Sequence, residues 1–123
     1  MRKRLLSLLL LSICGSMLFA QEPLDIDDVE QVPLGDFTYQ WRNIYDRTPL
    51  HGKCRIILSY RSYTIAHFNK DGILDGLYEK YEDNHLVQKL TYVKGILRGK
   101  GYEYYTDGTV KKECVWNEQG KID

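Results

Sequence analysis

The side chains of this chain that could do chemistry are few and scattered. They are three histidines, three cysteines and two carboxylates that recur at matching positions: His51, His67, His85, Cys14, Cys54, Cys114, Glu79 and Glu103. The histidines lack metal-ligand spacing and an acidic partner in the sequence. The cysteines lie in no nucleophile signature. Because recurring positions usually serve a repeat, we do not read the two glutamates as an acid/base pair. We predict no catalytic site, no metal and no cofactor.

Two further patterns superficially resemble ligand loops. The stretch from Gly95 to Gly101 has the glycines and lysine of a phosphate loop, but it is one residue short and no Ser or Thr follows Lys100. The acids Asp25, Asp27 and Asp28 are not followed by the glycine and glutamate of a calcium-binding EF-hand loop. Neither pattern predicts a site.

The first twenty residues have the pattern of a secretory signal peptide. Three bases, at positions 2–4, precede an apolar run from Leu5 to Phe19, which is too short for a comfortable membrane span. We place the cleavage between Ala20 and Gln21 and expect an exported protein, periplasmic or at the cell surface. A second interpretation is lipidation at Cys14, although Ile13 stands where a lipobox has a small residue.

Composition fits one small globular domain. The chain has 123 residues, 43% hydrophobic and 28% charged, with ten tyrosines. Seventeen basic residues balance seventeen acidic ones, which argues against a dedicated nucleic-acid partner. Removing residues 1–20 leaves fourteen bases against seventeen acids, a net charge of −3.

The mature chain divides into an acidic leader and an all-β domain. Residues 21–36 hold six acids, two prolines and no base, which predicts a flexible segment. From Phe37 onward apolar residues alternate, and turn signals separate the runs. We predict an antiparallel meander that forms a curled single sheet, with 37–65 as an N-terminal β segment or cap. The expected strands are 37–45, 53–60, 63–68, 73–82, 85–93, 96–106 and 109–117.

The second half of the chain contains a repeat. The series Tyr78, Tyr81, Asp83, Leu86, Leu90, Tyr92 recurs 24 residues later as Tyr102, Tyr105, Asp107, Val110, Cys114, Trp116. The segment from Tyr92 to Gly108, closing on Trp116, resembles the bacterial variant of the MORN repeat, whose proteins are often labelled YwqK-type antitoxins. The resemblance covers about residues 66–120, and we assign 66–123 to the hairpin repeats. It implies β-hairpin repeats in which these residues are structural: Gly76, Tyr81, Tyr92, Gly95, Gly99, Gly101, Tyr105, Gly108 and Trp116.

Hairpin turns predict which side chains share a face. Short loops would place Phe68 opposite Ile73, Tyr81 opposite Leu86, Tyr92 opposite Leu97 and Tyr105 opposite Val110. Strict alternation then predicts a core face: Phe68, Ile73, Leu77, Tyr81, Leu86, Leu90, Tyr92, Leu97, Gly99, Gly101, Tyr105, Val110, Cys114 and Trp116. Glu79 and Glu103 fall on this face. We expect rings to pack over the glycines.

The opposite face is the candidate binding surface. It combines bases with tyrosines: Tyr78, Lys80, Lys89, Arg98, Lys100, Tyr102, Tyr104 and Lys111. Such a surface could contact anionic lipid or cell-wall material, although an ordinary solvated sheet face has the same composition.

The sequence favours a non-catalytic, exported repeat module that acts by contact with an unknown protein partner in the cell envelope or with its anionic surface. An antitoxin or immunity protein that neutralises a cognate toxin is the alternative, and a small secreted enzyme is the least favoured class. Cys54 and Cys114 lie five strands apart, roughly 24 Å in a flat sheet, so we predict two largely buried thiols and no disulfide between them.

Overall fold

The computed structural model describes residues 22–123, so the predicted signal peptide, its cleavage position and Cys14 lie outside the described residues. Among residues 22–123 no helix is long and apolar enough to cross a membrane. The described residues form ten strands and one short 3₁₀ turn, Ile26–Asp28. The strands are β1 (Leu24–Asp25), β2 (Val29–Gly35), β3 (Thr38–Asn43), β4 (Gly52–Ser59), β5 (Ser62–Phe68), β6 (Leu74–Glu82), β7 (His85–Val93), β8 (Ile96–Leu97), β9 (Gly99–Tyr104) and β10 (Val110–Trp116).

Eight of these strands form one sheet, and β2 and β3 form a separate hairpin. The sheet order is β1-β4-β5-β6-β7-β9-β10, with β8 paired to the end of β7. Every pairing is antiparallel except the short one between β1 and β4. The prediction of a nearly all-β chain dominated by one antiparallel sheet is confirmed. The seven predicted strands agree with the observed ones to within two residues, and the sixth is interrupted at Arg98.

The acidic segment 21–36 was predicted to have no fixed shape, and this is wrong for residues 24–35. Leu24 pairs with Ile56 at the edge of the sheet, and β2 pairs with β3. The reason lies in the apolar residues between the acids, because Leu24, Ile26 and Val29 pack against the core while most of the acids stay at the surface. The segment is therefore part of the fold.

The β2–β3 hairpin lies across one face of the sheet. The Trp41 ring packs on Phe68 with 5.5 Å between centroids. The Trp41 amide donates to the Gly72 carbonyl at 2.7 Å, and the Leu50 amide donates to the Trp41 carbonyl at 3.0 Å. These contacts join the hairpin and the following loop to the turn between β5 and β6.

The core lies under this hairpin, in the first half of the sheet. The buried apolar residues are Leu50, Cys54, Ile56, Ala66, Phe68 and Leu74. Within residues 22–123 no side chain beyond Leu74 is fully buried. Strands β7–β10 therefore contribute only partly buried side chains.

Two of the four predicted cross-strand pairs are confirmed. Tyr81 pairs with Leu86 across the Asp83-Asn84 turn, and Tyr92 pairs with Leu97. Both residues of the first turn and the Lys94-Gly95 pair of the second have positive φ, which suits tight hairpins with the twist of the flanking strands.

The other two pairs are wrong by one residue. Phe68 pairs with Leu74 because the turn is longer than predicted: the Asn69 side-chain oxygen accepts from the amides of Asp71 and Ile73. Val110 pairs with Tyr104 because Asp107 accepts from the Thr109 amide and hydroxyl, which widens that turn as well.

These shifts change the faces, because a one-residue slip turns every side chain of a strand over. The longer turn after Phe68 puts Leu77, Tyr81 and Leu86 opposite the core. A bulge at Val87 then turns the chain back, so Leu90 and later members return to the covered side. The predicted core face is thus right for Phe68, Leu90, Tyr92, Leu97, Gly99, Gly101, Cys114 and Trp116. It is wrong for Leu77, Tyr81, Leu86, Tyr105 and Val110, and Ile73 lies in the turn.

The two cysteines lie in one row across the covered face, and they are not bonded to each other. Cys54 pairs with Ala66 on one side of the sheet, and Cys114 pairs with Gly101 on the other. Burial raises the pKa of the Cys54 thiol, although a backbone hydrogen bond at His51 acts in the opposite direction. Cys114 is only half-buried.

Alkylation of the native protein should therefore distinguish the two thiols. We expect iodoacetamide near neutral pH to modify Cys114 and to reach Cys54 only after unfolding, because a buried thiol seldom forms the reactive thiolate. Peptide mapping before and after denaturation measures this. A peptide that carries Cys54 disulfide-bonded to Cys114 would contradict both the register and the open sheet.

Candidate functional site

The face of the sheet opposite the hairpin is not covered by any other element within residues 22–123. Side chains of paired residues project to the same side of a sheet, so the register defines this surface. We call it the uncovered face. Its paired residues include Lys53, Arg55, Ile57, Tyr63, Ile65, Glu79, Tyr81, Leu86, Lys89, Lys100, Tyr102 and Glu113. These positions carry four basic and two acidic side chains.

Four of the eight predicted binding residues share the uncovered face. Lys89 pairs with Tyr102, whose ring stacks on that of Tyr104 with 5.9 Å between centroids. Lys100 follows on the same strand, with its amine 3.9 Å from Glu113. An exposed pair of this kind contributes little to stability, so the amine remains accessible to a ligand.

The other four predicted residues do not join them. Tyr78 and Lys80 lie on the covered side, since Tyr78 pairs with Ala66 and Leu90 and its ring meets Tyr92 edge-on at 5.9 Å. Arg98 leaves the strand and donates to the Glu118 carbonyl at 3.2 Å. Lys111 forms the β10 bulge, with its amine 5.9 Å from the Tyr105 ring centroid. The predicted single surface is therefore divided.

A second group on the uncovered face was missed by the sequence analysis. The Arg55 guanidinium lies 4.2 Å from the centroid of the Tyr63 ring, and that ring stacks on Tyr81 at 5.0 Å and 13°. Arg55 belongs to β4 and the two tyrosines to β5 and β6, so only the sheet assembles them. The sequence signal was the alternation Arg55, Ile57 and Tyr63, Ile65 on adjacent strands, which places these side chains on one face.

Arg55 and Tyr63 of this group line a pocket of about 460 Å³ at one end of the sheet. Two turns make its walls, Tyr60-Arg61 between β4 and β5 and Asp83-Asn84 between β6 and β7. The Asp83 amide donates to the Arg61 carbonyl at 2.9 Å, and the Arg61 side chain pairs with the Asp83 carboxylate at 3.2 Å. The walls are therefore held to each other by backbone as well as charge.

A larger apolar groove of about 550 Å³ lies on the covered side. It runs between the β2–β3 hairpin and the loops that hold Gly95 and Gly120, with Trp41, Leu74 and Tyr92 in its lining. Phe37 stands at its rim, 96% exposed, on a turn where both Asp36 and Phe37 have positive φ. A bulky side chain in this backbone conformation costs energy.

Relieving that strain should stabilise the protein. We expect Phe37→Gly to raise the free energy of unfolding by about 0.5–1 kcal/mol. Glycine removes the conformational penalty of positive φ, about 1–2 kcal/mol, but the greater entropy of glycine in the unfolded chain offsets part of this gain. Urea unfolding measures the change. Tyr60→Gly is the matched control: Tyr60 is also exposed (91%) but has no positive φ, so glycine should destabilise there. Equal signs at the two sites would contradict the assigned turn.

The glycines of the predicted repeat have different structural roles. At Gly101 an added Cβ would overlap the Trp116 ring and Leu90, so a ring does pack over this glycine as predicted. At Gly99, where the same was predicted, nothing lies within 4 Å of the added Cβ, and the residue instead has φ +75 where β8 gives way to β9. Gly76 faces His67, and Gly108 lies in a turn with open space around it.

The candidate acid/base groups do not meet. Glu79 pairs with Ile65 and Lys89 on the uncovered face, whereas Glu103 pairs with Gln88 and Lys112 on the covered one. Their predicted placement on one face was wrong for Glu79, for the same reason as Tyr81. In the part of the chain that the structure describes, no three His, Cys, Asp or Glu side chains cluster as metal ligands.

Comparisons with known proteins give little. No protein-family model matches the chain, and no curated protein matches it. Among solved structures, TarM is similar over 77% of this chain, at a TM-score of 0.41 and 14% identity. A mutant of S. aureus TarM in complex with fondaparinux, alpha-GlcNAc-glycerol and UDP has the same TM-score and coverage at 15% identity. The chain spans 18% of these proteins, and a likeness at this level establishes no shared function.

Proposed function

We propose that this chain is an exported, non-catalytic binding module that contacts the anionic surface of the cell envelope through its uncovered face. The observation that carries the proposal is the arrangement of Lys89, Lys100, Tyr102 and Tyr104 on adjacent strands of that face. Tyrosine combines an apolar ring with a polar tip, and lysine supplies positive charge, so the pair suits a surface of phosphates and hydrocarbon.

The proposal includes a MORN-like repeat architecture, supported by three turns with one hydrogen-bond pattern. In each, the first residue donates to the carbonyl four residues later, and a glycine amide donates back to the first residue. The turns begin at Asn69, Tyr105 and Asn117 and use Gly72, Gly108 and Gly120. A bridge from Trp116 to Ile122 follows the last turn as a strand follows the others. The Asn69 and Asn117 turns lie at one end of the sheet and the Tyr105 turn at the other, and recurrence of one turn geometry along the chain is what an array of similar hairpins needs.

Export remains part of the proposal and rests on the sequence of residues 1–20. We expect the protein recovered from the envelope or medium to begin at Gln21, because Ala20 ends the apolar run. N-terminal sequencing tests this. A mature chain that begins at a lipidated Cys14 would support the lipoprotein interpretation, and a cytosolic chain that retains Met1 would overturn export.

The binding test changes charge on one face and compares it with charge changed elsewhere. We expect Lys89→Glu with Lys100→Glu to abolish co-sedimentation with phosphatidylglycerol vesicles and with cell-wall sacculi. The control, Lys70→Glu with Lys94→Glu, makes the same change at exposed loop residues and should bind like the wild type. Equal binding by both variants would refute the proposed surface.

Affinity capture from envelope extract, run with the same two variants, separates the classes of partner. Recovery of one toxin-like protein regardless of Lys89 and Lys100 would replace the proposal with the antitoxin class. We expect instead that recovery depends on both lysines.

A further inference from the structure

We infer that the pocket at the Arg55 end of the uncovered face is a binding site for a small anionic saccharide, meaning a sugar that carries a phosphate, sulfate or carboxylate. This goes beyond the proposed envelope contact, since the pocket uses none of Lys89, Lys100, Tyr102 and Tyr104.

Arg55 is a cation without an anion. In residues 22–123 no carboxylate oxygen lies within 4.0 Å of its guanidinium nitrogens, and its Nε is buried without a hydrogen-bond partner. The stack on Tyr63 holds the guanidinium in place, so little conformational freedom is lost when a ligand binds. A guanidinium presents a planar set of donors that fits a phosphate or carboxylate in a bidentate manner.

The walls of the pocket suit the sugar ring of such a ligand, as distinct from its anionic group. Tyr60 is 91% exposed and provides a ring beside the pocket, with the Arg61 guanidinium 5.4 Å from its centroid. A sugar ring has C–H groups on its faces and hydroxyls on its rim, so it matches an amphipathic aromatic wall. The hydroxyls of Ser59 and Ser62 and the Asn84 amide can donate to or accept from the rim.

The ion pair of Arg61 with Asp83 adds selectivity. Asp83 neutralises Arg61, which leaves Arg55 as the uncompensated charge of the pocket. A ligand with one anionic group is therefore favoured over a polyanion. The Asp83 carboxylate can also accept hydrogen bonds from the hydroxyl groups of a sugar.

Isothermal titration of the protein with matched probes tests the inference. The probes are glucose 6-phosphate, glucose 1-phosphate, N-acetylglucosamine 6-sulfate and glucuronate. Glucose and inorganic phosphate are the controls, because each represents only the sugar part or only the anionic part of a sugar phosphate. We expect saturable binding of at least one anionic sugar, at least tenfold tighter than glucose or phosphate. Amide NMR shifts should be confined to the pocket segments 55–63 and 83–84.

Two variants separate the parts of the site. Arg55→Met should weaken binding of the anionic sugar at least tenfold, while Lys70→Met, at an exposed turn outside both surfaces, should leave it unchanged. Tyr60→Ala removes an exposed ring without disturbing the core and should weaken the sugar but not inorganic phosphate. Circular dichroism checks that each variant is folded.

Three results would overturn the inference: no saturable binding of any anionic sugar, phosphate binding as tightly as its sugar ester, or Arg55→Met binding like the wild type. None of these bears on Lys89 and Lys100, so failure here is distinguishable from failure of the proposed envelope contact.

Discussion

Truncating Ile56 to alanine is expected to lower the free energy of unfolding by about 3–4 kcal/mol, whereas the same change at Ile57 should cost less than about 1 kcal/mol. The two isoleucines are neighbours in β4 and differ in their face. Ile56 is fully buried in the core, against which Leu24 and Ile26 pack, and Ile57 is 37% exposed on the uncovered face. Removing three carbons from Ile56 leaves a buried cavity, whereas water fills the space left by the same three carbons at Ile57.

Guanidinium or urea unfolding measures both variants against the wild type. A small domain has a stability of about 5–15 kcal/mol, so the loss at Ile56 is a large fraction of it. The pair tests where the core lies as well as how well it packs. Equal losses at Ile56 and Ile57 would mean that both faces are covered, and a larger loss at Ile57 would reverse the assignment of faces.

Adding one methyl group at Gly72 is expected to cost about 3 kcal/mol. Gly72 has φ +77, where alanine pays about 1–2 kcal/mol, and its added Cβ would lie 2.5 Å from the Trp41 carbonyl oxygen. That oxygen belongs to backbone that already accepts from the Leu50 amide, so it cannot move without disturbing the hairpin and the loop behind it. Overpacking of this kind adds about 1–3 kcal/mol.

The control for this prediction is Gly108→Ala. Gly108 occupies the matching position of a turn with the same hydrogen bonds and has φ +91, but nothing lies within 4 Å of its added Cβ. Only the conformational penalty applies, and we expect a loss of about 1–2 kcal/mol. Comparison of the two unfolding midpoints isolates the close approach of the hairpin. A Gly72→Ala variant no less stable than Gly108→Ala would show that the hairpin does not rest on this turn.

The strands were predictable because alternation and turn residues are local properties. Period-two patterns from Phe37 onward and the Asp-Asn and Lys-Gly turns determined each strand to within two residues. The same local rules gave the pairs Tyr81–Leu86 and Tyr92–Leu97. Where a turn residue binds its own backbone, as Asn69 and Asp107 do, loop length is no longer evident from the dipeptide, and the register slipped by one.

The candidate site was predictable only in part for the same reason. Lys89, Lys100, Tyr102 and Tyr104 follow the bulge at Val87, which restores the predicted faces, and they do lie together. Tyr78 and Lys80 precede that bulge and lie on the other side. The position of a bulge depends on how two twisted strands pair with each other, and no residue type in the sequence indicates it.

By itself the sequence determined the β character of the chain and the bounds of the strands from Phe37 onward, since both depend on residue type and short-range spacing. Only the tertiary structure decided where the core lies and what the uncovered face carries. The charge of the acidic segment 21–36 predicts a solvated chain, yet Leu24, Ile26 and Val29 pack against a core formed by Leu50 and residues that follow it in the chain. The cluster of Arg55, Tyr63 and Tyr81 likewise forms only when three strands align. Burial and contact between distant residues depend on the packing of the whole chain, which the local pattern of residues does not contain.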